Sequence, residues 1–132
     1  LKDFKNAIVS LNRSLEYKPN YSEARLILAK TYLELNEIEK AEIELRLILE
    51  VDKKNLSAQN LLGRVVYLKE KDPRKALSFL QNERSLGWRE KKVYARCYFE
   101  IRKWRESESL FRSIAYSPFA DEYDHSFYLN LL

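Results

Sequence analysis

A repeat of 34 residues in the first half of the chain constrains its fold more than any other feature. Two sets of residues return 34 positions later: Ala7 and Leu11 as Ala41 and Leu45, and Ala24, Leu28, Ala29 and Tyr32 as Ala58, Leu62, Gly63 and Val66. A fixed period of about 20–50 residues is typical of a solenoid, in which each unit packs only on its neighbours. The sequence therefore predicts an array of short repeating units.

Hydrophobic periodicity predicts helices along the whole chain and no strand. Apolar residues recur about every 3.6 positions in segments that are bounded by turn residues and prolines. The segments are residues 3–17, 22–35, apolar stripes over 38–49 and 58–68, a helix from Pro73 to Gly87, and residues 88–102, 104–116 and 121–132. Pro73 suits the first turn of its helix, and we expect Gly87 to end that helix in the left-handed conformation.

Small residues recur where paired helices would cross. They lie midway along the first helices and early in the second helices: Ala29, Gly63 and Ala95, and Ala7, Ala41, Ala76 and Ser107. Large residues follow four positions after the second set: Leu11, Leu45, Leu80 and Phe111. Antiparallel helices approach closely only where side chains are small, so we expect these residues to set the packing between units.

This arrangement resembles the tetratricopeptide repeat. The resemblance covers nearly the whole chain and is strongest in residues 4–55, through Phe4, Ala7, Leu11, Pro19, Ala24, Leu28, Ala29, Tyr32, Ala41 and Leu45. It implies an all-α fold, a right-handed superhelix of antiparallel helix pairs with about eight helices. It also implies a protein-interaction scaffold.

The register divides residues 1–132 into one tetratricopeptide-like array. The predicted units are residues 1–21 as the second half of a first repeat, then 22–55, 56–87, 88–118, and 119–132 as a further or capping helix. Ala76 lies 35 positions after Ala41, which places one extra residue near Lys71. Ser107 follows Ala76 by only 31 positions, so we expect shorter or rotated helices in a degenerate fourth unit. The incomplete first unit predicts a fragment of a longer array.

An enzymatic function finds little support in the sequence. The chain has one histidine, His125, and one cysteine, Cys97, and its two glycines do not form a phosphate-binding loop. Cys97 lies among aromatic residues and reads as a small buried hydrophobic side chain. We expect no catalysis, no cofactor and no metal site. The chain contains no run of 18 apolar residues, so the sequence predicts no membrane-spanning helix.

Positive charge is concentrated in the second half of the chain. The net charge is +4, and residues 56–118 contain fourteen basic and seven acidic side chains. One interpretation is a solvated helix face, on which Lys and Arg stems cover apolar surface.

The tetratricopeptide resemblance gives a sharper interpretation. It implies that the first helix of each pair lines a concave groove that binds partner segments. The groove-facing positions are Lys30 in the second unit, Asn60, Arg64 and Tyr67 in the third, and Arg89, Lys92, Arg96 and Phe99 in the fourth. Arginines bind carboxylates with two hydrogen bonds and aromatic rings supply apolar anchors, so we expect an acidic or carboxylate-bearing peptide as ligand.

The carboxylate clamp of the family's chaperone-binding members is excluded in its usual form. Only two of the equivalent positions are cationic, and the asparagines are lost: these positions carry Leu26, Lys30, Leu61, Arg89 and Val93.

Two other functions remain open. Interleaved aromatic and basic residues could bind single-stranded nucleic acid, but Glu90 and Glu100 interrupt the basic run and make this partner less favourable. The second alternative is end-to-end self-association as part of a larger repeat protein. It would use the apolar face around Phe4, Ile8 and Leu11 or the final residues 129–132.

Overall fold

The computed structural model describes residues 2–115, and every regular element within that range is helical. The seven α-helices are α1 (Lys2–Tyr17), α2 (Ser22–Glu34), α3 (Ile38–Val51), α4 (Leu56–Glu70), α5 (Pro73–Leu77), α6 (Trp88–Glu100) and α7 (Trp104–Ala115). A short 3₁₀ helix covers Glu83–Ser85. The helix predicted over 121–132 lies outside the described residues.

Each helix packs on the next one along the chain, and α4 also packs on α6. The first helices α2, α4 and α6 therefore lie in one row, while α3, α5 and α7 form the second row. One apolar cluster joins α2, α3 and α4, and a second joins α6 and α7. This consecutive packing confirms the predicted helical solenoid.

The small residues lie at the helix crossings, as their spacing predicts. Ala29, Ala41, Ala76 and Ala95 are fully buried. The buried Ser107 hydroxyl on α7 donates a hydrogen bond of 2.8 Å to the carbonyl of Ala95 on α6. Absence of bulk lets α6 and α7 approach closely enough for this direct bond between a side chain and the neighbouring backbone.

Gly63 lies at a further close crossing. The fully buried Tyr94 side chain of α6 crosses α4 at this glycine, and its hydroxyl donates a 2.7 Å hydrogen bond to the Asn60 carbonyl. A Cβ atom on Gly63 would lie 2.0 Å from the Tyr94 hydroxyl oxygen and 2.9 Å from the Ala76 carbonyl oxygen. The third helix pair therefore needs a residue without a side chain here.

A left-handed residue follows each of the three first helices. Asn36, Lys71 and Arg102 have φ angles of 59°, 54° and 64°. After α2, the Glu37 and Asn36 amides donate to the Tyr32 and Leu33 carbonyls, which is the Schellman pattern. The same pattern recurs after α6, whereas α4 ends with one bond from the Lys71 amide to the Tyr67 carbonyl. These turns reverse the chain between the paired helices.

The prediction of one helix from Pro73 to a left-handed Gly87 is wrong. Asp72 caps α5 through the Lys75 amide, but α5 ends at Leu77. The Asn60 side chain takes both backbone groups of Gln81, donating 2.9 Å to its carbonyl and accepting 2.7 Å from its amide. The backbone amide and carbonyl of Gln81 are therefore not available for the hydrogen bonds of a longer α5 helix. Gly87 has φ −71° and precedes α6, so it begins a helix.

Candidate functional site: a cationic cavity between the first helices

An open cavity of about 390 Å³ lies between α2, α4 and α6. Its walls combine five cations, two aromatic rings and a few apolar side chains. The lining residues are Leu33, Glu34, Arg64, Tyr67, Leu68, Lys71, Trp88, Arg89, Lys92, Val93 and Arg96. A second cavity of about 160 Å³ adjoins it, because both contain Glu34, Arg64, Trp88 and Arg89.

Helical spacing places these side chains on one surface. On α4, Arg64 and Leu68 are separated by one turn, and Lys71 follows one residue past the end of the helix. On α6, Arg89, Val93 and Arg96 recur at spacings of four and three residues. Such spacings keep side chains on the same helix face.

Most of the predicted groove residues meet at this cavity. Arg64, Tyr67, Arg89, Lys92 and Arg96 line the larger cavity. Lys30 is exposed and lines the smaller one beside Arg64 and Arg89. Of the eight residues, these six line the two adjoining cavities.

The other two predicted residues have contacts that point to other roles. Asn60 is only 4% exposed, and its side chain holds Gln81 as described above. Its position in the sequence pattern is groove-facing, but its amide fixes the segment after α5. Phe99 packs edge-on against Trp104, with ring centroids 5.1 Å apart, and neither cavity contains it.

Two carboxylates enter the basic surface and pair with predicted groove residues. Arg64 on α4 pairs with Glu90 on α6 at 3.3 Å. Arg89 on α6 pairs with Glu34 at the end of α2 at 2.5 Å. Counting Lys30, the two adjoining cavities contain six cations and these two carboxylates, so the surface keeps a positive excess.

Tyr67 presents its ring rather than an ionisable hydroxyl to the cavity. Its hydroxyl donates a 2.5 Å hydrogen bond to Glu100. Burial, together with the bond to this carboxylate, raises the pKa of Tyr67 well above its ordinary value. The ammonium of Lys71 lies 5.5 Å from the Tyr67 ring centroid, within cation–π range.

The repeat pattern does not predict three further cavity residues, Trp88, Lys71 and Glu34. Two cations lie near the Trp88 ring: the Arg89 guanidinium is 4.3 Å and the Lys92 ammonium 5.6 Å from its centroid. Its spacing of four residues from Lys92 was a signal that could have identified it. Lys71 could have been found from its spacing of seven residues after Arg64.

Cys97 has the environment of a packing residue. It is fully buried, and this burial raises its pKa to about 12. The nucleophilic form of cysteine is the thiolate, which this environment disfavours. His125 lies outside the described residues. Within residues 2–115, no group of three or more His, Cys, Asp or Glu side chains is placed to hold a metal ion.

The helices in the described part of the chain are too short or too polar to cross a membrane.

Comparisons with known proteins agree with this architecture. Residues 1–65 match the family model described as tetratricopeptide repeat. No curated protein sequence matches the chain.

Among solved structures, the chain resembles the crystal structure of MamA, with a TM-score of 0.59 and 18% sequence identity. The match covers 84% of this chain and 66% of MamA, slightly less than two thirds of that protein. At this identity the likeness concerns the fold. The family match over residues 1–65, just under half of the chain, and the helical solenoid together support a tetratricopeptide repeat protein, from a family of protein-interaction scaffolds.

Proposed function

We propose that this scaffold binds a carboxylate-rich segment of a partner protein in the cavity between α2, α4 and α6. The observation that supports this most is the set of five cations around one cavity that also contains the Trp88 and Tyr67 rings. Basic side chains select carboxylates, and the rings offer apolar contact to neighbouring side chains of the same peptide. The volume of about 390 Å³ falls within the roughly 300–1,000 Å³ of ligand clefts.

Both acids in the basic surface favour a peptide over nucleic acid. Glu34 and Glu90 lie in the walls of the cavities and already neutralise Arg89 and Arg64. A phosphate backbone presents a regular row of negative charges, which these carboxylates would repel. A peptide can place its few carboxylates beside Lys71 and Lys92 and avoid both acids.

The test reverses the charge of Lys71 and Lys92 together, by Lys71→Glu and Lys92→Glu. These residues are preferable to Arg64, because Arg64→Glu would put two carboxylates where a 3.3 Å ion pair now lies. The probe is a fluorescein-labelled octapeptide of Asp, Glu and Leu, and its binding is followed by fluorescence anisotropy. We expect the double variant to lose about tenfold or more in affinity, since like charges then face each other.

The matched control is Lys53→Glu with Lys54→Glu, in the exposed turn between α3 and α4. It changes the net charge equally but lies outside both cavities. It should bind the peptide nearly as well as the unmodified chain, and circular dichroism should show equal helix content in all three proteins. Equal loss in both double variants would refute a localised site. Tighter binding of a labelled single-stranded oligonucleotide than of the peptide would favour the nucleic-acid alternative instead.

A further inference from the structure

The ion pair between Glu34 and Arg89 spans the cavity rather than joining neighbouring helices. Glu34 is the last residue of α2, and Arg89 is the second residue of α6. Between these two helices lies α4, whose Arg64, Tyr67 and Leu68 form the cavity floor. The bridge therefore links the two rims of the proposed binding surface.

This bridge also lies where the two cavities adjoin. Both of its residues line the larger and the smaller cavity. The Arg89 guanidinium also lies 4.3 Å from the Trp88 ring centroid, so Arg89 keeps one contact when its acidic partner departs. An anion that bound to Arg89 from within the cavity would occupy the position that Glu34 now holds.

The bridge is more exposed to solvent than the other ion pair in this surface. The Arg89 and Glu34 side chains are 42% and 32% exposed, whereas those of Arg64 and Glu90 are 14% and 13% exposed. Exposed ion pairs contribute little to stability, while a buried pair leaves an uncompensated charge when one partner departs. Of the two pairs in this surface, the one at the rim is thus the easier to open.

We propose that Glu34 is a built-in competitor of the ligand: its carboxylate occupies Arg89 in the empty cavity and is displaced by a carboxylate of the bound peptide. This inference rests on the proposed peptide-binding function and adds a residue that sets its affinity. A peptide must replace one Arg–carboxylate contact with another, so this contact adds selectivity for acidic segments but little net affinity. Segments without a carboxylate leave the bridge closed.

The experiment compares Glu34→Gln with Glu108→Gln, using the same labelled octapeptide and the full chain. Glu108 is a close match, because its side chain is also 32% exposed and pairs with Arg112 at 2.5 Å. It lies on α7, which contributes no residue to either cavity. Both substitutions raise the net charge by one. We expect Glu34→Gln to tighten binding about two- to fivefold and Glu108→Gln to leave it within about 1.5-fold.

A third measurement places the effect on Arg89. In an Arg89→Gln background, Glu34→Gln should no longer tighten binding, because the contact that it frees is gone. The proposal is overturned if Glu34→Gln binds no more tightly than Glu108→Gln, or if the gain persists without Arg89.

Failure of the underlying function gives a different result. The unmodified chain and the Glu34→Gln variant would then both fail to bind the peptide, and the Lys71 and Lys92 substitutions would change nothing. Binding that depends on Lys71 and Lys92 but not on Glu34 would overturn the competitor alone.

Discussion

The substitution Gly63→Ala should destabilise the protein strongly, although alanine is the better helix former. The new methyl group would lie 2.0 Å from the Tyr94 hydroxyl and 2.9 Å from the Ala76 carbonyl oxygen. Tyr94 must then move, which breaks its buried bond to the Asn60 carbonyl and costs about 1–3 kcal/mol. Overpacking against the Ala76 backbone adds about 1–3 kcal/mol. The gain in helix propensity is only about 1 kcal/mol, which leaves a net loss of about 3 kcal/mol when the middle of each range is taken.

The assay is urea and thermal unfolding followed by circular dichroism at 222 nm. For a chain of this size, a loss of about 3 kcal/mol should lower the melting temperature by about 10 °C. Adding Tyr94→Phe to Gly63→Ala removes the atom in closest conflict and should recover part of the loss, while the conflict with Ala76 remains. Gly87→Ala is the control, since its Cβ would meet only the end of the Glu90 side chain and no backbone atom, and its φ is −71°. Unchanged stability of Gly63→Ala would refute this account of the α4–α6 crossing.

Two further predictions concern the same core. Ala41→Leu should lower the unfolding free energy by about 1–3 kcal/mol, because Ala41 is fully buried where α2 and α3 pack. The control Lys40→Leu, at the exposed neighbouring position, should change it by less than about 0.5 kcal/mol. Equal melting temperatures of the two variants would contradict the helix register. Stability should also fall as pH rises above 9, the ordinary pKa of the Cys97 thiol, because burial raises its pKa in the folded state to about 12 and the unfolded chain loses its proton first. Urea titrations from pH 8 to 10 should show that the unfolding free energy declines by up to about 1.4 kcal/mol per pH unit. The Cys97→Ala variant should show a smaller decline. An unchanged decline in that variant would mean that another titrating group causes it.

The solenoid could be predicted from the sequence because its constraints are local or strictly periodic. Small residues at Ala29, Ala41 and Gly63 mark helix crossings by their spacing, and their burial agrees with that prediction. The end of α5 could not be predicted in this way. It depends on the Asn60 side chain, which reaches Gln81 across 21 positions and removes the backbone groups that a longer helix would use.

The arginines of the candidate site could be predicted from the sequence, but their ion-pair partners could not. Helical spacing alone brings Arg64, Arg89 and Arg96 to one cavity. The partner of each cation depends on the curvature of the whole array, which determines how closely the rims of the groove approach. No spacing rule connects Glu34 at the end of α2 with Arg89 at the start of α6. The net electrostatics of the groove therefore follow from tertiary structure.

Lys71 is subject to two opposing demands. As the left-handed residue that ends α4, it occupies a conformation in which glycine is free of the penalty of about 1–2 kcal/mol that a side chain brings. As a cation on the cavity wall above Tyr67, it contributes a charge that glycine lacks. A search for thermostable variants would therefore favour glycine at position 71, and a search for peptide binding would favour lysine. At this turn, the chain has a local trade-off between robustness and recognition.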